Sequence, residues 1–281
     1  MKIDANAKIN LMLDVVRKRD DGFHDVKMIM QTLELCDVIT AEKADSEIEL
    51  SGSDKSLEYG ESNLAYRAAI LFFEKSGIKG GAKIHIEKNI PICAGMAGGS
   101  SDAAATLLIL NALYGYPLTE DILIKESAAL GSDVPYCIMK GTALAEGRGE
   151  ILTKISTFNA DNILIVKPDI DISTPWAYKS LKLNEINHPD VDCAIKCIEE
   201  KNTKKLYSLF ENVFEAVVFN EYPEVKNIKE KMYELNAKAS LMSGSGPTVF
   251  GIFENEINAK NAYNYFKKKY TQVFLTKTYN V

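Results

Sequence analysis

The residues best suited to chemistry lie in Pro91-Ile-Cys-Ala-Gly-Met-Ala-Gly-Gly-Ser-Ser-Asp-Ala-Ala-Ala, followed by the apolar run Thr106–Leu113. Gly95, Gly98 and Gly99 allow positive φ and close backbone approach to a ligand, and Ser100, Ser101 and Asp102 are residue types that start helices. A helix start presents unpaired N–H donors and the positive end of a dipole, which suits an anion such as phosphate. The loop is not a Walker loop, because no lysine precedes Ser100, and its glycines do not give the Gly-x-Gly-x-x-Gly turn of a dinucleotide fold. On these residues alone a phosphate site and a glycine linker before a buried helix remain equal readings.

Other candidates flank it. In Ala5-Asn-Ala-Lys-Ile-Asn-Leu-Met-Leu, Lys8 and Asn10 are two apart and share one face of a predicted strand, where a solvated lysine is the plainer alternative. Phe23-His24 follow the turn signal Asp21-Gly22; they suit stacking and hydrogen bonding to a flat heterocycle, or a turn whose Phe tucks inward. Asp133, in Gly131-Ser-Asp-Val-Pro-Tyr, reads as a cap or an Asx turn, with Val134 held extended by Pro135. Cys36, Cys93, Cys137, Cys193 and Cys197 read as buried thiols, because none of the three histidines falls at zinc-site spacing.

The elements that must position these groups can be read in order. Strands are predicted at Ile3–Val15, Met28–Leu35, Val38–Ala41, Glu47–Leu50 and Ala82–Lys88. A helix capped by Ser62 or Asn63 stops at Gly77, and the last strand delivers the chain into the Pro91 loop and a helix over Ser101–Tyr114. Strand, glycine loop and helix are the context a phosphate site needs. A helix follows over Glu120–Leu130, then a strand from Gly141. A polar connection at Thr157–Asn162 divides the chain into 1–157 and 158–281. Beyond it come the strand Ile163–Lys167, helices at Pro175–Leu181, Ala194–Glu200, Leu206–Phe219 and Val225–Leu235, and two strands around a glycine turn at 244–246. A helix over Ala259–Lys269 and a strand over Val273–Tyr279 close the chain. Strands and helices do not alternate regularly, so the class is α+β with mixed and antiparallel sheets.

The 281 residues are 46% apolar and 26% charged, an ordinary folded composition. The formal charge of −6 supplies no global field for nucleic acid or anionic membrane, and a cytoplasmic protein with no membrane partner is expected.

Three separated stretches, Ala7-Lys-Ile-Asn-Leu, Pro91-x-x-x-Gly-x-x-Gly-Gly-Ser-Ser-Asp and Ser243-Gly-Ser-Gly-Pro, resemble in order and spacing the three motifs of the GHMP kinases, which act on galactose, homoserine, mevalonate and phosphomevalonate. The chain is most similar to members that phosphorylate a cytidine diphosphate-linked methylerythritol in the non-mevalonate route to isoprenoid precursors. That similarity extends over Asp21-Gly-Phe-His, Gly131-Ser-Asp-Val-Pro, Ala145-Glu-Gly-x-Gly-Glu and Ser173-Thr-Pro. It implies a two-lobed GHMP kinase fold. The N-terminal lobe, 1–157, resembles ribosomal protein S5 domain 2; the C-terminal lobe, 158–281, resembles an α/β plait and carries the turn 243–247.

The resemblance also implies residue roles. Pro91, Gly95, Met96, Ala97, Gly98, Gly99, Ser100 and Ser101 would hold the phosphates of ATP, with Asn63 and Lys88 near the nucleotide. Asp133 would be the catalytic acid residue and Lys8 its partner beside the substrate hydroxyl. Phe23 and Tyr178 would sandwich the cytidine base and His24 read its polar edge, with Asn10 and Thr174 along the erythritol and phosphate. Phe23 stands where relatives commonly have Tyr, which keeps a stacking face and gives up a hydroxyl. Mg²⁺ would accompany ATP, with Ser101 the nearest hydroxyl and the carboxylate ligand unassigned. A homoserine or mevalonate type of GHMP kinase, and a non-catalytic nucleotide-binding regulator, are the alternatives; oligomeric state is left open.

Overall fold

The computed structural model describes all 281 residues, Met1–Val281. Two long strands, β1 (Lys2–Lys18) and β2 (His24–Ala44), open the chain and pair with each other. Both contribute to each of two compact units. One unit comprises Met1–Ala7, Leu35–Ile90 and Ala97–Lys140; the other comprises Lys8–Glu34, Pro91–Met96 and Gly141–Val281. The expected cut between 157 and 158 lies inside the second unit, whose last segment starts at Gly141, and that unit also takes in Lys8–Glu34 and Pro91–Met96 from the first third of the chain.

In the first unit, Val38–Ala44 of β2 pairs antiparallel with β4 (Gly81–Glu87), which pairs parallel with β3 (Ile48–Gly52). Helix α1 (Leu64–Ser76) starts where the Asn63 side chain accepts from Ala65 N at 2.9 Å and stops at Gly77, φ 67°, as its residue types predict. It packs on α2 (Gly98–Leu113), which packs on α4 (Val134–Met139), and α3 (Glu120–Ser127) lies against α4.

Three local expectations are corrected here. β2 is continuous where two strands were predicted, because Asp37 is accommodated by buried partners instead of breaking the strand. Helix α2 begins at Gly98, three residues before the predicted Ser101, so Ser100, Ser101 and Asp102 occupy its first turns; the preceding Ala97, φ 58°, makes no side-chain cap. Val134 is helical, because Pro135 takes a first-turn position of α4 where its missing N–H costs nothing.

In the second unit, Met28–Gln31 of β2 pairs antiparallel with β5 (Thr142–Glu146), and β5 with β6 (Ile151–Lys154). There follow β7 (Ile163–Lys167), α5 (Thr174–Ser180), α6 (Val191–Glu199), α7 (Thr203–Leu209), α8 (Glu215–Glu221), α9 (Pro223–Glu234), β8 (Ala237–Met242), β9 (Val249–Phe253), α10 (Glu256–Phe266) and β10 (Gln272–Thr276). The last four strands need no regular alternation with helices: β10-β7-β9-β8 form one antiparallel sheet, with α9 and α10 packed on it. Its central strands β7 and β9 are buried throughout, as the apolar runs Ile163–Val166 and Val249–Phe253 demand, and the strand-end Lys167 is buried with them. The predicted helix Leu206–Phe219 is instead α7 and α8, separated by a segment in which Asn212 bridges Leu13 of β1. No helix is long and apolar enough to cross a membrane.

Candidate active site

Strand β1 is buried continuously from Ala5 to Val15, so its polar residues lie inside. Lys8 and Asn10 share a face as their spacing predicts, and the Lys8 ammonium donates to Asn10 Oδ1 at 2.7 Å. It also donates to Gly95 O at 3.1 Å, while Lys8 N donates to Met96 O at 3.1 Å. A lysine only 4% exposed, with its charge directed at a glycine loop, is not a solvated strand lysine.

Gly95 O receives a second donor, Ser243 Oγ at 3.0 Å. The two backbones are in direct contact. A Cβ on Gly95, φ 67°, would lie 2.3 Å from Ser243 O, and one on Gly244, φ 58°, would lie 3.0 Å from Gly95 O. The second glycine turn thus supports the first, and each glycine is required by both its φ and its neighbour. Thr174, exposed at the start of α5, shares a hydrogen bond with Ser245 of the same turn at 2.8 Å.

Beyond Met96 the loop runs through Ala97 into α2. Ser101 N makes the first helical bond, to Ala97 O at 2.8 Å, so Gly98, Gly99 and Ser100 present the first-turn N–H groups that have no acceptor within the helix. Pro91 and Met96 are buried and Gly99 is exposed. Ser101 is buried: its Oγ donates to Asn6 O at 2.6 Å, with Cys137 Sγ at 3.3 Å.

Lys88 and Asn63, expected near a nucleotide, both have partners within the protein. Asn63 caps α1 and donates to Glu58 O at 2.8 Å. The Lys88 ammonium bridges Asp37 and Asp102, the latter at 2.7 Å, with side-chain exposures of 7%, 0% and 6%. Asp37 also accepts from Asn89 N at 2.5 Å and Ile90 N at 2.7 Å. Two buried carboxylates therefore share one ammonium, and Asp102 Oδ1 has no hydrogen-bond partner. Burial, reinforced by Asp37, outweighs Lys88 and pushes the Asp102 carboxyl up to about 7. Burial pulls Lys88 down, but the attraction of Asp102 and Asp37 leaves it above its ordinary value. Sequence reasoning missed this cluster; the available signal was an acid, Asp37, inside the apolar run Leu35–Ile39.

Asp133 stands half-buried at the start of α4, and its carboxylate does not cap that helix. At the aromatic site, His24 stacks on Tyr178, centroids 4.9 Å apart and planes at 29°, and Phe214 meets Tyr178 edge-on at 4.8 Å. Phe23 is 53% exposed, with the Arg148 guanidinium 5.0 Å over its ring. The expected sandwich is therefore not preformed: His24, not Phe23, faces Tyr178. Burial, then the charge of Lys18, hold the His24 imidazole below its ordinary value.

The pattern defining the GHMP kinases N terminal domain matches residues 63–141, and that of the GHMP kinases C terminal matches 194–272. A 4-diphosphocytidyl-2-C-methyl-D-erythritol kinase of Clostridium novyi (strain NT) is 44% identical over 275 residues, 98% of each chain. The chain belongs to the GHMP kinase family. Another relative of the same name, from Acetivibrio thermocellus, is 45% identical over 279 residues, 99% of each chain. A crystal structure of 4-(cytidine 5'-diphospho)-2C-methyl-D-erythritol kinase superposes with a TM-score of 0.87 at 30% identity, covering both chains completely. Homoserine kinase from Cytophaga hutchinsonii, with a TM-score of 0.78 over 99% of this chain and 94% of its own, is 16% identical and shares the fold. The α+β architecture is thus the two-domain GHMP kinase fold, and as a kinase of this family the protein uses ATP as co-substrate.

No group of three or more His, Cys, Asp or Glu side chains could hold a metal ion, and the Ser101 hydroxyl is already directed at Asn6 O. These residues do not form a preorganised Mg²⁺ site.

Proposed function

We infer that this GHMP kinase transfers the γ-phosphoryl group of ATP to the 2-hydroxyl of 4-diphosphocytidyl-2-C-methyl-D-erythritol, a step of the non-mevalonate route to isoprenoid precursors. The observation that carries the reading is end-to-end identity of 44–45% with relatives named for that activity.

In the proposed reaction the substrate hydroxyl oxygen attacks the γ-phosphorus in line, the bond to the β-phosphate oxygen breaks, ADP leaves, and Asp133 takes the hydroxyl proton. Asp133, half-buried at the start of α4, is the carboxylate that the family resemblance places in this role. Lys8 supplies positive charge from a buried strand, and its bond to Gly95 O ties it to the phosphate loop. The first-turn N–H groups of α2 suit the ATP phosphates. Asn63 and Lys88 would border the nucleotide, and Asn10 and Thr174 the erythritol and phosphate. His24 and Tyr178 would take the cytidine base, with Phe23 and its Arg148 lid at the rim. Mg²⁺ bound together with ATP would neutralise charge on its phosphates; the chain provides no group of three His, Cys, Asp or Glu side chains to hold it. A cytoplasmic setting agrees with five free cysteines.

The test is ADP release from ATP and Mg²⁺ with the cytidyl substrate, homoserine, mevalonate derivatives or galactose as acceptor. Stimulation by the cytidyl compound alone is expected; its failure to stimulate overturns the assignment. His24→Ala is expected to raise KM for the cytidyl acceptor.

A further inference from the structure

The aromatic stack and the glycine turn are far apart in sequence, yet both rest on one buried side chain that no motif points to. Asn212 is 2% exposed and fully hydrogen-bonded. Its Nδ2 donates to Met242 O and to Gly244 O, both at 2.8 Å, and its Oδ1 accepts from Phe214 N at 3.0 Å. The adjoining backbone is sewn to β1: Leu13 N donates to Glu211 O at 3.0 Å and Val213 N to Leu13 O at 3.1 Å.

Each of these partners leads to a functional group. Gly244 abuts Gly95, whose carbonyl holds both Ser243 Oγ and the Lys8 ammonium. Phe214 meets Tyr178 edge-on, and Tyr178 carries His24. Glu215 completes the brace: its carboxylate accepts from Met242 N at 2.9 Å and pairs with Lys229 at 2.5 Å. Both the N–H and the C=O of Met242 are thereby fixed from the segment 212–215.

We propose that Asn212 is a positioning residue that sets the phosphate-loop support and the base-stacking ring at once, so that it governs the apparent affinity for both substrates. An amide is required for this. Two carbonyls converge on its NH₂, which a carboxylate cannot serve, and one N–H converges on its oxygen. A leucine of similar size would leave three buried backbone groups unpaired.

The proposal rests on the kinase reading, and wild-type turnover of the cytidyl substrate tests that reading separately. If the wild type is inactive the reading fails; if it is active, the variants decide the role of Asn212. KM for ATP and for the cytidyl acceptor are measured for Asn212→Asp, with folded fraction from thermal melting. Both KM values are expected to rise by roughly 5- to 100-fold, the range of one or two lost buried hydrogen bonds. A merely structural residue would lower the folded fraction, and with it apparent kcat, while leaving both KM values unchanged. That result, or a shift in only one KM, overturns the joint role. If Asn212→Asp does not fold, Asn212→Ser, which keeps one neutral donor, is judged by the same criteria. Ser243→Ala and Phe214→Leu provide the one-sided comparison: the first is expected to shift KM for ATP alone, the second KM for the acceptor alone. A shift in both from either variant overturns the division of the two arms.

Discussion

The imidazole of His24 lies on the ring of Tyr178 with centroids 4.9 Å apart, occupying a face that a cytosine ring would need. The proposed stacking of the base on Tyr178 therefore requires the two rings to part or His24 to swing to the base edge. Replacing Tyr178 by Ala is expected to raise KM for the cytidyl acceptor by about 5- to 50-fold, the loss of an aromatic contact with its buried area, and to leave KM for ATP unchanged. Steady-state kinetics with each substrate varied in turn checks this.

Acid should weaken the same site. His24 titrates below its ordinary 6.5, so the native state binds fewer protons than the unfolded state as pH falls beneath that value. Stability is then highest above 6.5 and declines as pH falls through the native value. Urea unfolding midpoints measured from about pH 7.5 to about 5.5 should show this slope in the wild type and less of it in His24→Gln. Equal slopes would remove His24 as the cause.

Asp133→Asn is expected to fold normally and bind ATP, while kcat falls by about 10²- to 10⁴-fold, the usual contribution of a general base. Isothermal titration with ATP and single-turnover assays separate the two effects. Turnover close to wild type would exclude the proposed role.

The shared lysine sets up two stability predictions of opposite character. Lys88→Met leaves Asp37 and Asp102 buried without a cation and should cost about 3–5 kcal/mol, read from denaturant unfolding. For Asp102 the sign follows from its carboxyl being raised from 3.8 to about 7: ionisation is penalised in the fold, so its contribution to stability falls as pH rises between those values. The melting temperature of Asp102→Asn relative to wild type should accordingly climb across that range and level off above it. A flat difference would show that Asp102 is ionised throughout.

Local patterns in the chain announced most elements, because they depend on neighbouring residues. Asn63, Gly77 and Thr119 bound helices where their side chains and φ preferences dictate. What sequence could not show was set by distant partners. Cys36-Asp37 looked like a break between strands, and only Lys88, Asn89 and Ile90 make an acid tolerable there. The serines after Gly99 looked like caps, but α2 starts earlier, from Ala97 in a left-handed conformation that a sequence pattern does not favour. Motif residues such as Lys8 and Gly95 were legible as types. That the Gly95 carbonyl would collect both Lys8 and Ser243 was not, since it is a property of three segments at once. Asn212 was invisible for the same reason: inside the predicted helix Leu206–Phe219 it resembles any polar residue on a helix face.

The contact between Gly95 and Gly244 also bears on inhibitor escape. Where a protein recognises a compound through side chains, single substitutions readily discard the contact and keep the fold. At these two positions any replacement drives a Cβ into the opposite main chain, 2.3 Å from Ser243 O in one case and 3.0 Å from Gly95 O in the other. A compound anchored on those backbone atoms would face a target with few viable resistant variants, because the mutations that evade it also distort the loop proposed to hold ATP.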